Sequence, residues 1–156
     1  MEFLEAIASW PGAELLRRSS IAYLLVNAAH ILSIGLIIGA IATLDLRILG
    51  LFPNAPLATL GPPLSRMAAT GIVFAILTGL VLFSVRPQTY AANPAFLAKI
   101  GLVALGVANA LALQWSRGWQ EALSRQKISG PVRAAAIVSL MIWSAAILAG
   151  RWIGFL

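Results

Sequence analysis

Four long apolar runs, separated by short polar or proline-rich links, fill most of this chain. Runs near twenty residues match a hydrocarbon core about 30 Å thick crossed at about 1.5 Å per residue, so each predicts a transmembrane helix. The first run predicts a span over residues 21–49, long enough to tilt or to project from the bilayer. Ser19 and Ser20 offer N-cap oxygens at its start, with Arg17 and Arg18 just outside, and Gly50 ends it. Pro53, Pro56, Pro62 and Pro63 then predict a rigid loop. The second span is predicted over 64–85, before Pro87. Asn93-Pro94 marks a turn into a third span over 95–115. A polar stretch, 116–130, leads to Pro131, which suits the first turn of a fourth span over 131–153. Residues 2–10 form a short amphipathic segment broken by Pro11-Gly12, the pattern of an interfacial helix. The expected fold class is therefore all-α: a single integral membrane domain, 1–156, with four transmembrane helices after a short N-terminal interfacial helix. Short links imply an up-down-up-down antiparallel bundle.

Composition agrees: 60% of the 156 residues are apolar and 10% charged, against about 25% charged in soluble domains. The acidic start, Glu2 and Glu5, lacks the cationic region of a signal peptide and is expected to be retained. A net charge of +6 would suggest nucleic acid in a soluble protein. Here the basic residues lie at helix ends and in one loop, so they anchor the helices and the partner is the lipid bilayer. The absence of cysteine removes disulfides and thiolate metal sites. Trp10, Tyr90 and Trp152 predict one aromatic belt, Trp115 and Trp119 the other, while Trp143 lies inside the fourth run. Arg117, Arg125, Lys127 and Arg133 favour a cytoplasmic third link and periplasmic termini; Arg17 and Arg18 argue the reverse.

His30 is the one histidine and falls close to the expected midplane, where an ionisable group raises a functional question. At 100° per residue, Tyr23, Asn27, His30 and Asp45 fall within about 60° of one line, a polar stripe expected to face the bundle interior. Gly35 and Gly39 lie opposite, on a smooth face expected to pack within the chain or against a second copy. His30 has three open roles: a hydrogen-bonded structural residue, a proton relay, or a ligand to haem b or copper. As a ligand it would pair with Met141, expected at similar depth, or share a cofactor with His30 of another protomer. Asp45 and Arg47 close the first span, and an ion pair from Asp45 to Arg66 or Arg133 is expected. Lys99 and Arg151 either snorkel to the other interface or, with Asn93, frame an anion or carboxylate site there. The chain has no Walker motif, no His-x-x-x-His and no acid pair within the spans, which argues against hydrolytic enzymology.

Three fragments belong together: His30 with Asp45-Leu46-Arg47-Ile48-Leu49-Gly50, then Asn93-Pro94-Ala95-Phe96-Leu97-Ala98-Lys99, then Ala149-Gly150-Arg151-Trp152-Ile153. In combination they resemble a bacterial family of small four-helix inner-membrane proteins of unknown function, which implies bacterial origin and a helical membrane fold. A fainter likeness, in intramembrane His and Met, is to the membrane part of copper-resistance proteins. Three functions follow as expectations: a haem- or metal-handling subunit built on His30, a transporter or permeation subunit lined by the polar stripe, or a structural subunit of a membrane complex. The small size favours a homo-oligomer or a place in a larger complex.

Overall fold

The structure is a computed structural model that describes residues 2–125 and 127–155. Its described part is helical, with no strand. Two short helices, α1 (Glu2–Ala8) and α2 (Pro11–Arg18), open the chain. Pro11, expected as a break, starts the second of them, because a first-turn proline loses no helical hydrogen bond. Arg17 ties this hairpin down. Its Nη2 donates to the Ala8 carbonyl (2.7 Å) and its Nη1 to the Val85 carbonyl (3.4 Å).

The long helix α3 (Ser20–Leu49) follows, and the Ser19 hydroxyl caps it by accepting from the Ala22 N–H at 3.2 Å. It ends where Gly50 turns left-handed (φ 111°) and the Leu51 N–H reaches the Leu46 carbonyl at 3.0 Å. Helix α4 (Leu57–Phe83) starts seven residues before the expected 64, with Pro62 and Pro63 inside it. The two prolines deprive the carbonyls of Ala58 and Thr59 of helical partners, but both residues are exposed, so the loss is small. Leu57, almost fully buried, anchors this first turn in the core. Tertiary packing overrides the local proline signal.

Helix α5 (Pro87–Ala92) is short, and Asn93 caps α6 (Pro94–Gln114), its Oδ1 accepting from Ala95 and Phe96 N–H at 2.9 and 3.2 Å. The polar stretch 116–130 contains a helix, α7 (Arg117–Arg125), begun by the Ser116 hydroxyl, which accepts from the Trp119 N–H at 3.1 Å. Helix α8 (Gly130–Trp152) and a 3₁₀ turn (Ile153–Phe155) complete the chain. Four helices, α3, α4, α6 and α8 with its turn, are long and apolar enough to cross a membrane.

Their packing departs from a ring of sequence neighbours. α3 lies between α4 and α8, and α6 packs on α8, but α4 and α6 do not pack along their lengths. They meet at the ends. Phe83 stacks on Phe96 (5.5 Å between centroids) beside Tyr90, and α7 bridges the other end through Trp119 and Leu123 against Gly61. The close approaches use Gly71, where an added Cβ would fall 2.8 Å from Ile37 Cγ1, and Gly106, against Trp143. Gly35 and Gly39 do not take part. Nothing lies within 4 Å of a Cβ built on either, so the glycine face points outward and the expected intramolecular packing is absent. The core proper, Ile48, Leu57, Trp119, Ala122, Val132 and Ala136, sits at the α7 end. Trp119, expected in an aromatic belt, is 5% exposed and belongs to that core.

Candidate functional site

The polar stripe of α3 is covered unevenly: Asp45 is buried, Asn27 and His30 are half-buried, and Tyr23 is exposed. In its middle, His30 faces α4. Its Nδ1 lies 2.9 Å from the Thr78 hydroxyl, whose own proton goes to the Phe74 carbonyl at 2.6 Å. A hydroxyl has one proton to give, so the bond runs from the His30 Nδ1–H to Thr78 Oγ1. In a neutral ring, Nε2 then carries the lone pair. Gly79 leaves room for the ring: an added Cβ would lie 3.2 Å from His30 Cε1.

Lys99 on α6 is half-buried. Its stem runs along Gly150 on α8, 3.4 to 3.7 Å from a Cβ placed there. Neither Lys99 nor His30 has an acidic partner; among the described residues the one salt bridge joins Arg18 to Glu14 on the surface. Asn27, Ile34, Ile38 and Ile41 line the same side of α3 and are half-buried, in keeping with the gap between α4 and α6. The side of α3 that carries His30 is therefore half-buried, with His30 and Asn27 set among isoleucines.

At the α7 end the stripe closes with Asp45, 4% exposed, beside the Ser139 hydroxyl of α8 and with one carboxylate oxygen left without a hydrogen-bond partner. The expected ion pair is not formed, because Arg66 and Arg133 face outward. Arg47 is buried but turned to the following loop, donating to the carbonyls of Ala55 and Pro53. It is a clamp on residues 50–56.

At the other end Tyr23 joins a different group. A cleft of about 540 Å³ is lined by Leu16, Arg17, Tyr23, Val85, Arg86 and Tyr90. Burial, then the neighbouring Tyr23 hydroxyl, pushes the Tyr90 phenol above its ordinary 10.0, while Arg86 pulls the other way. Tyr90 thus keeps its proton at neutral pH.

Other expected groupings are not assembled. Met141 is 59% exposed on the side of α8 opposite its buried Ser139, Trp143 and Ala146, so it is not brought to His30. Gly35 and Gly39 lie on the far side of α3 from His30, so pairing two copies through that face does not bring two His30 side chains together. The frame of Lys99, Arg151 and Asn93 also dissolves: Asn93 is spent on capping α6 and on the Ile153 carbonyl (3.4 Å), and Arg151 stacks on Phe155 at 4.7 Å. Among the described residues, no three His, Cys, Asp or Glu side chains gather as a metal site.

Thr78, Ser139 and Arg86 are the polar partners that the sequence reading missed.

Fold and site together define the class of a small helical protein with four potential membrane spans. No protein-family profile, curated protein or solved structure matches the chain.

Proposed function

We propose that the protein is a multi-pass subunit of a bacterial inner membrane that lets a small anion or weak acid enter a polar path beside His30 and Lys99. In this reading α3, α4, α6 and α8 cross the bilayer, α1 and α2 lie in the periplasmic interface, and both termini share that side. The observation that carries it is that Lys99 and His30 are both half-buried on long apolar helices and neither has a carboxylate partner among the described residues. A half-buried cation without a counter-ion is costly in low dielectric. A permeating anion offsets that cost. The three fragments quoted from the sequence carry the further proposal of membership in the bacterial four-helix family.

The test is chloride and lactate efflux from liposomes containing the purified chain. Efflux above that of empty vesicles is expected, reduced about tenfold in Lys99→Gln, the scale of one lost charge-assisted contact. Equal efflux in the wild type, in Lys99→Gln and in empty vesicles would overturn the proposal.

A second reading is supported by the Thr78 bond alone. It orients His30 with Nε2 free to donate, the arrangement that a single axial ligand to haem b or copper requires. Here the visible spectrum of gently purified protein decides: a Soret band lost in His30→Ala, but kept in Met141→Leu, is the expected result.

A further inference from the structure

The cleft at the terminal end of the bundle holds features that the anion path does not use. It is built from α2, α3, α5 and the link between α4 and α5, which supplies Val85 and Arg86. Arg17 uses one N–H of Nη1 and one of Nη2 on the Val85 and Ala8 carbonyls, which fixes its guanidinium at the rim with three N–H donors left over. Arg86 is exposed, and its guanidinium has no protein partner among the described residues. Tyr23 and Tyr90 add two neighbouring hydroxyls, and no carboxylate is among the lining side chains. The nearest acid on α2, Glu14, is taken by Arg18.

Two guanidinium groups and two phenols around one hollow match the acceptor oxygens of a phosphate, for which arginine provides planar, paired donors. The volume falls in the range of small-ligand sites, about 300 to 1,000 Å³. The flanks decide what carries the phosphate. The cleft lies at the ends of the apolar helices α3 and α4, which in the bilayer reading puts it at the membrane interface. That position suits a molecule with acyl chains attached to its phosphate.

We propose that the cleft lined by Arg17, Tyr23, Arg86 and Tyr90 binds the head-group phosphate of an anionic phospholipid. The site rests on the bilayer location proposed above but not on the anion path. Bound there, one lipid would tie the α1–α2 hairpin to the junction of α4 and α5.

The experiment is native mass spectrometry of the full chain in detergent, titrated with dioleoyl-phosphatidylglycerol or dioleoyl-phosphatidylcholine. One phosphatidylglycerol is expected to be retained per chain, at about tenfold lower concentration than phosphatidylcholine. Arg86→Gln, at an exposed residue that the fold does not use, is expected to erase the preference, and Tyr90→Phe to weaken it. Millimolar inorganic phosphate is expected to leave the bound lipid in place. Equal binding of the two lipids, or an Arg86→Gln protein with the preference intact, would overturn the site. Displacement by inorganic phosphate would overturn the lipid in favour of a free anion. Chloride efflux in Arg86→Gln is expected to match wild type, so failure here and failure of the anion path are separable.

Discussion

The two ends of α3 bury their polar residues in opposite ways. Asp45 and Arg47 sit in the tightest part of the molecule, within a few residues of the Ile48, Leu57, Trp119 and Ala136 core. Toward the other end the cover thins: His30 is half-buried against Thr78 of α4, and Tyr23 is exposed beside the cleft. One end is a clamp: Arg47 holds the loop, and α7 bridges α4 to the rest. The other end has room, unspent donors and unpaired cations. The difference teaches that an ionisable group in an apolar helix acquires its meaning from local packing, and that depth along the helix does not supply it.

The contrast breaks most visibly at its closed end. Trp119→Ala empties a site that packs on Gly61 and the core, and is expected to cost about 3–5 kcal/mol, read as a fall in the thermal midpoint in detergent. Two glycines sharpen the comparison next. Gly71→Val drives a side chain into the Ile37 and Ser33 backbone of α3 and is expected to cost about 1–3 kcal/mol. Gly35→Val meets open space and is expected to change the midpoint within about 0.5 kcal/mol. Equal effects at the two would contradict the helix arrangement.

The smallest effect belongs to the open end. Because Tyr90 ionises above 10.0 in the folded protein, both states are protonated below that pH and stability is undiminished there. As pH rises past 10.0 the unfolded chain ionises first, so stability falls through the folded value. Tyr90→Phe should remove this alkaline loss. With two tyrosines in the chain, an ultraviolet difference titration resolves it.

Much of the fold was legible because a span needs a long apolar run and little else. Ser19, Gly50 and Asn93 mark helix ends by side-chain or backbone chemistry that is local, and all three do so in the structure. What failed depended on tertiary contacts. Pro62 and Pro63 read as loop, yet Leu57 anchors a helix through them. The stretch 116–130 read as a polar link, yet Trp119, Ala122 and Leu123 share one face and bury it. Periodicity found the glycine stripe and the polar stripe on opposite sides of α3, but not which would meet a neighbour. Matching depth put Met141 beside His30; rotation about α8 turns it away. Arg66 and Arg133 were level with Asp45 and point elsewhere for the same reason.

The central claim is that the interior beside His30 is open to water while the Ala136 end is dry. The chain has no cysteine, so single cysteines report one position each. The measurement is the reaction of Asn27→Cys and Ala136→Cys, in liposomes, with a small water-soluble maleimide. The account predicts that Asn27→Cys is labelled, that chloride or lactate slows its labelling in a Lys99-dependent way, and that Ala136→Cys stays unlabelled. An unreactive Asn27→Cys beside an equally unreactive Ala136→Cys would mean a dry, closed interior and would contradict it.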